Sequence, residues 1–202
     1  MTSERPLRLF VAIDLPEAWL EALAGVQERM QAALRDDAAT AGLRVRWTRP
    51  EGIHLTIKFI GEVAPDRLEA IVTQLGHAVP STPEFALTLD RVGSFEDRRA
   101  PRVIWAGVRD EPAQSLLRLA ESIEIWLAAA GVPQERRGFR PHLTLARLPE
   151  GLTDAQRRRA AEITGAIQPP EKQDFAVEYV SLIQSFLGPG GARYERLGRW
   201  PA

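Results

Sequence analysis

The sequence predicts an α+β fold of two similar halves around a central cleft, and two observations carry this prediction. Segments that alternate polar and apolar residues, as strands do, are interspersed with longer segments whose apolar residues recur at helical spacing. In addition, one short phrase occurs twice, as IHLTI at 53–57 and PHLTL at 141–145. We therefore expect a bilobal, duplicated unit whose two antiparallel sheets form a central cleft, with helices packed on the outer faces.

The first half of the chain contains three predicted strands and two predicted helices. The segment 7–13 alternates and is predicted as a strand, and the first helix begins at Pro16, where the missing N–H of proline does no harm. The second helix has apolar residues at 68, 71, 72 and 75, which is helical spacing. In order, the expected elements are strand 7–13, helix 16–34, strand 43–47, strand 53–60 and helix 65–79.

The second half repeats this mixture of elements. A glycine ends its first helix, and Thr153 and Gln156 are placed for a capping box at the start of its second helix. A final hairpin is expected across the turn at 188–191 (GPGG). In order, the expected elements are strands 84–92 and 102–108 around a polar loop at 94–100, helix 112–130, strand 140–148, helix 153–167, and strands 174–186 and 192–200.

Composition restricts the class of protein. The chain has 202 residues, of which 45% are hydrophobic and 26% charged, and its net charge of −1 provides no general attraction for nucleic acid. The absence of cysteine excludes disulfides, thiolate catalysis and cysteine-rich zinc sites. We find neither a signal peptide nor an apolar run long enough for a bilayer. We expect a single bilobal domain over 1–202, a monomer without membrane association, located in the cytoplasm.

The repeated phrase contains the residues with catalytic chemistry. On a strand, side chains two residues apart share a face, so His54 points the same way as Thr56, and His142 the same way as Thr144. The two phrases together predict two imidazoles and two hydroxyls around one point. Histidine exchanges protons near neutral pH, and threonine hydroxyls donate hydrogen bonds to anionic oxygens. This set suits acid–base chemistry on a phosphate.

These residues and their flanks resemble the 2H phosphoesterases, which are named for two His-x-Thr-x motifs. The resemblance is closer to the bacterial RNA 2′,3′-cyclic phosphodiesterases, also called 2′-5′ RNA ligases or LigT-like proteins, and it covers nearly the whole chain. The matching segments are 8–16 (RLFVAIDLP), 45–50 (VRWTRP), 54–62 (HLTIKFIGE), 103–108 (VIWAGV), 139–147 (FRPHLTLAR) and 187–194 (LGPGGARY).

The resemblance implies an enzyme that hydrolyses RNA 2′,3′-cyclic phosphate ends to 2′-phosphomonoesters, without a metal or any other cofactor. It implies that His54 donates a proton and His142 accepts one, an assignment that the symmetric phrases do not decide. The partners would be RNA with 2′,3′-cyclic phosphate ends or 2′-5′ linked RNA. With an RNA 5′-hydroxyl in place of water, the same geometry would perform reversible 2′-5′ ligation.

Two candidate substrate-binding residues follow from strand parity. Phe10 lies on the more polar face of its strand, where its ring could stack on a terminal base, and the resemblance also indicates Phe10; a place in the core is the alternative. Lys58 shares parity with His54 and Thr56 and is expected to lean toward an anion.

Two arginines complete the predicted site. Arg140 has the parity of His142 and is expected to face the cleft. The resemblance assigns Arg147 to phosphate binding, although parity on a regular strand places it on the face of Leu143 instead. A bulge or strand end near Ala146 would remove this conflict.

Other functions remain open at this point. A metallohydrolase could use both histidines, although a catalytic zinc usually has three protein ligands and no carboxylate stands near either phrase at ligand spacing. The same cleft could bind RNA ends without turning them over. A 2H phosphoesterase could also act on a small cyclic nucleotide or an ADP-ribose cyclic phosphate. The third histidine, His77, lies on a predicted helix away from both phrases and is expected at the surface.

Overall fold

The computed structural model describes residues 5–79, 84–97, 100–111, 113–170, 174–188 and 191–201, and these contain nine strands and four α-helices. The fold is α+β, as the sequence predicts. The strands are β1 (Leu7–Ile13), β2 (Arg46–Trp47), β3 (Leu55–Val63), β4 (Ala86–Asp97), β5 (Ala100–Glu111), β6 (Leu143–Arg147), β7 (Asp174–Ala176), β8 (Tyr179–Gly188) and β9 (Gly191–Pro201). The helices are α1 (Glu17–Asp36), α2 (Leu68–Ala78), α3 (Ser115–Ala129) and α4 (Asp154–Gly165).

All strand pairings among the described residues are antiparallel, in the order β7-β4-β5-β6-β3-β1-β8-β9, with β2 beside β6. The order is symmetric about its centre. We call β6, β5, β4 and β7 the β6 half, and β3, β1, β8 and β9 the β3 half. Each half places one copy of the repeated phrase on its innermost strand, so the two copies are neighbours.

The two halves join at one residue pair, Leu55 of β3 with Leu143 of β6. The sequence predicts two separate sheets, and in this respect the structure differs, because that pair makes the strands one continuous sheet. Beyond it, β6 continues along β5 and β2, while β3 continues along β1. The expected cleft therefore lies where the strands diverge from a shared point.

One apolar core lies on the face of the sheet that carries Leu55 and Leu143. Side chains from all four helices contribute to it, among them Leu23 of α1, Leu75 of α2 and Ile123 of α3, each fully buried. The opposite face has only a small apolar cluster among the described residues, formed by Phe10, Ala12 and Ile183. The prediction that the leucine faces lie under helices is confirmed, and the opposite face is left for polar groups. The assignment of 1–202 to a single domain stays a prediction.

Several element boundaries differ from those predicted. The run 94–100 is predicted as a polar loop. In the structure, residues 94–97 belong to β4 and residue 100 begins β5. Only Arg46–Trp47 of the predicted strand 43–47 is paired, and the predicted strand 174–186 is divided into β7 and β8. The capping box of Thr153 and Gln156 is confirmed. The turn residues Pro189 and Gly190 and the predicted helix start at Pro112 lie outside the described residues.

None of the helices in the described part of the chain combines the length and the apolar composition that a bilayer crossing requires.

A close approach between β4 and β5 predicts a position where glycine is required. Gly93 pairs with Trp105, and a methyl group at position 93 would overlap the indole ring of Trp105. We expect Gly93→Ala to lower the free energy of unfolding by about 1–3 kcal/mol, the usual effect of overpacking. Gly25→Ala on α1 is the matched control, because space is open there and alanine should stabilise the helix by about 0.5–1 kcal/mol. Urea unfolding of both variants measures the difference, and equal stability of the two would contradict this packing.

Candidate active site

Both histidines of the repeated phrase stand directly before their strands and are held in the same way. Nδ1–H of His54 donates to the carbonyl oxygen of Gly52 at 2.9 Å, and Nδ1–H of His142 donates to that of Arg140 at 2.8 Å. A carbonyl oxygen only accepts, so each ring carries its proton on Nδ1 when neutral. Nε2 of each ring is then available as a base, or as an acid once protonated.

The pair that joins the halves also sets the positions of the threonines. Leu55 opposes Leu143, so continuing this register by one residue places His54 opposite Thr144 and Thr56 opposite His142. The two leucines point into the core, and their sequence neighbours therefore point to the other face. The structure brings the four predicted catalytic residues together as a square on one face of the sheet.

A bulge follows the threonine of each phrase. In β3, Ala12 pairs with Thr56 and Val11 with Lys58, so Ile57 is the extra residue. In β6, the extra residue is Leu145, between the Thr144–Trp105 pair and the Ala146–Ile104 pair. A bulge of one residue reverses the parity of everything that follows on the strand. The two halves therefore share the position of this bulge as well as the repeated phrase.

The bulge at Leu145 resolves the conflict over Arg147. Arg147 pairs with Val103, which shares the face of Trp105 and therefore of Thr144. Arg147 is thus exposed on the histidine face. The resemblance implies this placement, whereas the alternation of a regular strand would put Arg147 on the other face. Its prediction as a phosphate ligand is compatible with this placement.

The carbonyl of the bulged residue has two donors that hold it in place. Nε2 of Gln27, on α1, donates to the oxygen of Leu145 at 2.9 Å and to that of Thr48 at 2.8 Å. The backbone N–H of Thr48 donates to the same Leu145 oxygen at 2.9 Å. Gln27 is itself buried, so a helix side chain stabilises the irregular backbone that orients Arg147.

The bulge at Ile57 has the opposite consequence for Lys58. Lys58 is paired with Val11 and only 5% exposed, and its ammonium donates to Glu124 at 2.9 Å and to the carbonyl of Pro133 at 2.8 Å. The expectation that Lys58 shares a face with His54 and Thr56 is therefore wrong, because that parity assumes a regular strand. Its role as an anion ligand stays a prediction that now has to compete with the ion pair to Glu124.

Aromatic rings pack against each imidazole. The ring of Phe10 is stacked on that of His54 at 4.7 Å between centroids, and Tyr194 meets His54 edge-on at 5.1 Å. Phe95 meets His142 edge-on at 4.8 Å, and the guanidinium of Arg140 lies 4.6 Å from the centre of the Phe95 ring. Phe10 is 3% exposed, so its ring supports the imidazole and is not open to a base in this structure.

Burial and charge change the proton affinity of both imidazoles. Burial lowers the pKa of His54, the hydrogen bond to Gly52 and the charge of Asp14 raise it, and the charge of His142 lowers it. Burial also lowers the pKa of His142, the hydrogen bond to Arg140 raises it, and the charges of Arg147 and Arg140 lower it. Because the charge of His142 acts on His54, the two imidazoles lie within electrostatic reach of each other.

Asp14 and Tyr194 extend the polar part of the site. Asp14 accepts from the hydroxyl of Ser181 at 2.7 Å and forms an ion pair with Arg196 at 2.9 Å. Burial raises the pKa of the Tyr194 hydroxyl, and the charges of Arg147 and Arg8 lower it. The phenol therefore stands near two cations.

A cavity of about 1110 Å³ is lined by Thr56 and His142 of the two phrases and by Arg140. Lys58 and Glu124 of the ion pair line the same cavity. This size suffices for more than a phosphate.

Sequence reasoning does not assign a role to Tyr194 or Phe95. Tyr194 lies within a quoted segment of the resemblance, but no parity argument connects β9 with the phrases. Phe95 lies in the polar run that is predicted as a loop. Its face cannot be predicted from the sequence, because that requires knowing that β4 extends to Asp97. His77 is exposed on α2 as expected, stacked on Trp126 at 5.0 Å. Within the described ranges, no group of three His, Cys, Asp or Glu side chains is arranged to hold a metal ion.

Comparison with known proteins gives consistent results. Residues 14–105 and 107–194 match the family model described as LigT like Phosphoesterase. The RNA 2′,3′-cyclic phosphodiesterase of Escherichia coli is 32% identical over 196 residues, which cover 96% of each chain. The protein of the same name from Archaeoglobus fulgidus is 31% identical over 95% of this chain and 98% of its own.

Solved structures agree with the sequence matches. The crystal structure of Escherichia coli LigT in its apo form superposes with a TM-score of 0.72 at 30% identity, over 98% of both chains. A crystal structure from Thermus thermophilus superposes with the same score at 26% identity, over 96% of this chain and 97% of the other. The chain belongs to the LigT-like phosphoesterase family.

Proposed function

We propose that this protein hydrolyses the 2′,3′-cyclic phosphate at RNA ends to a 2′-phosphomonoester by two-histidine acid–base catalysis. The observation that carries the proposal is the square of His54, Thr144, His142 and Thr56, in which both imidazoles have Nδ1 engaged and Nε2 available. The relatives from Escherichia coli and Archaeoglobus fulgidus have the name of this activity and align over almost the whole chain.

The reaction needs one proton acceptor and one proton donor on opposite sides of phosphorus. Nε2 of neutral His142 takes a proton from water as the water oxygen bonds to phosphorus. Nε2–H of protonated His54 gives its proton to O3′ as the P–O3′ bond breaks, which leaves a 2′-phosphate and a free 3′-hydroxyl. The two histidines then exchange protons with solvent and return to their starting states.

The charges around the two imidazoles support this assignment of roles. The carboxylate of Asp14 favours the protonated form of His54, which the acid requires. The guanidinium groups of Arg147 and Arg140 favour the neutral form of His142, which the base requires. The two phrases have the same residues at the histidine and threonine positions, but the charged groups around the two histidines differ.

Charge that gathers on the non-bridging oxygens also needs partners. The hydroxyls of Thr56 and Thr144 flank the imidazoles on the same face and supply hydrogen-bond donors. Arg147 supplies a fixed positive charge beside His142, and a guanidinium binds phosphate oxygens through two parallel hydrogen bonds.

The same geometry supports a second reaction and a second substrate. With an RNA 5′-hydroxyl in the place of water, the same groups would form a 2′-5′ linkage, so 2′-5′ linked RNA is a second expected substrate in the reverse direction. We expect the protein to act as a monomer in the cytoplasm without a metal. An assay that includes a small cyclic nucleotide and an ADP-ribose cyclic phosphate beside cyclic-phosphate-ended RNA tests the breadth of the substrate class.

The first prediction concerns the two histidines. We expect His54→Ala and His142→Ala each to lower turnover of an RNA oligonucleotide with a 2′,3′-cyclic phosphate end by about 10²- to 10⁴-fold in the presence of EDTA. His77→Ala is the matched control, because His77 is exposed on α2 outside the square, and it should leave turnover unchanged.

Three outcomes would overturn the proposal. Undiminished turnover in the double variant would remove the histidines from the chemistry. Loss of wild-type activity in EDTA with recovery on adding zinc would indicate a metallohydrolase. Tight binding of 2′-phosphate ends without any turnover would indicate a binder of RNA ends.

The second prediction concerns pH. Both histidines have a pKa lowered from 6.5. In a profile of kcat/KM against pH, the base His142 sets the rising limb and the acid His54 sets the falling limb. Both limbs therefore move to lower pH. We expect a bell with its maximum below pH 6.5. The profile of kcat should lie at higher pH, because the bound phosphate anion favours both protonated forms.

The third prediction separates charge from structure. Arg147→Met removes a charge that lowers the pKa of His142, so the rising limb of kcat/KM should move to higher pH while the maximal rate falls. Arg35→Met, at an exposed arginine at the end of α1, should change neither limb. A fall in rate with both limbs unmoved would contradict the placement of Arg147 beside the base.

A further inference from the structure

Two arginines lie directly opposite each other across the β2–β6 pairing. Arg46 of β2 is the partner of Arg147 of β6, and both side chains are exposed. Directly opposite residues of an antiparallel pair point to the same side of the sheet, with Cβ atoms about 5 Å apart. The next pair along, Trp47 with Ala146, packs into the core. Arg46 therefore lies beside Arg147 on the histidine face.

The pairing also places Arg46 next to the reacting groups. Because β5 pairs along the whole length of β6 on one side, β3 and β2 share its other side. On that side, the continued register puts His54 opposite Thr144, and Arg46 is opposite Arg147. The backbone N–H of Thr48 donates to β6 at 2.9 Å, so the segment between Arg46 and His54 is fixed to the strand that carries the second phrase.

The charges of this region are unbalanced. Like charges directly opposite each other on a sheet are destabilising, and in the described part of the chain neither Arg46 nor Arg147 forms an ion pair with a carboxylate. The hydrogen bond from Arg102 and the charges of Arg102, Arg46 and Arg157 all lower the pKa of Glu150. One carboxylate thus stands among several arginines, in a chain whose net charge is −1.

We propose that Arg46 binds a second phosphate of the RNA substrate, so that Arg147 lies between this phosphate and the one that reacts. A guanidinium binds phosphate oxygens through two parallel hydrogen bonds, and an anion beside both arginines removes their repulsion. The inference rests on the proposed function and deepens it, because it makes an RNA strand a better substrate than a mononucleotide.

Two phosphodiesters of RNA could supply the second phosphate. One joins the terminal nucleotide to the rest of its own strand, on the 5′ side. The other follows the nucleotide whose 5′-hydroxyl attacks in ligation, and it is present in 2′-5′ linked RNA. Both present the same anionic oxygens to Arg46, and substrates that contain only one of them distinguish the two sources.

The test measures how much each protein prefers a substrate that has the second phosphate. The first substrate pair is adenosine 2′,3′-cyclic phosphate with and without a 5′-phosphate. The second is a 2′-5′ linked adenosine dinucleotide with and without a terminal 3′-phosphate. Arg46→Met should lower the wild-type preference in kcat/KM by about 10-fold in one of the two pairs, the effect of one charge-assisted hydrogen bond, and that pair identifies the source.

Two further variants separate binding from structure. Arg46→Lys keeps the charge and should restore part of the preference. Arg109→Met is the matched control, because Arg109 is also an exposed strand arginine but its cross-strand partner is the neutral Thr88, and it should leave the preference unchanged. Equal losses in Arg46→Met with and without the second phosphate, or no loss in either pair, would overturn the inference. A lowered urea midpoint with equal losses would assign Arg46 to the fold instead.

Binding measurements keep this test separate from that of the proposed function. Calorimetry compares adenosine 2′-phosphate with adenosine 2′,5′-bisphosphate, and compares 2′-5′ dinucleotides that lack the 3′-hydroxyl of the first ribose, with and without the terminal 3′-phosphate. If the wild type turns over no substrate yet Arg46→Met weakens only ligands with the second phosphate, the proposed function fails and the second phosphate site stands. If turnover is present and Arg46→Met binds every ligand as the wild type does, the proposed function stands and the second phosphate site fails.

Discussion

The single backbone pairing between Leu55 and Leu143 is the constraint on which the site depends. It is the only direct pairing between β3 and β6 among the described residues, and it lies inside both copies of the repeated phrase. Because both leucines are buried, a shift of one residue would turn two core side chains to the polar face and two histidines into the core. The hydrophobic core thus fixes the register, and the register fixes which histidine stands beside which threonine. Catalytic geometry here is a consequence of core packing on the other side of the sheet.

The bulges at Ile57 and Leu145 are the second constraint, and they work by changing parity. A regular strand would place only alternate residues on the histidine face, so nothing three residues beyond a threonine could reach it. After a bulge, position 147 reaches that face while Lys58 is turned to the core side and into its ion pair with Glu124. The irregular backbone is held from the core side, by Gln27 in the case of Leu145.

These details explain how far the sequence alone leads. The α+β class, most elements, the buried leucine faces and the square of histidines and threonines follow from alternation and from the repeated phrase, because these depend on residues close together in the chain. The parity of Lys58 and the placement of Arg147 depend on bulges, which are decided by the partner strands and by Gln27, 118 residues away from Leu145. Phe95 is not found because a polar run that pairs in a long hairpin has the composition of a loop. The union of two sheets depends on one residue pair, which no local pattern encodes.

A duplicated framework presents a chemical problem for the proposed mechanism, because that mechanism needs two unlike histidines. The phrases, the Nδ1 hydrogen bonds and the bulges are nearly the same in both halves. What differs is charge: Asp14 acts on His54, and Arg147 and Arg140 act on His142. Since a difference of one pKa unit corresponds to about 1.4 kcal/mol, charges outside the phrases favour the proposed division into one donor and one acceptor.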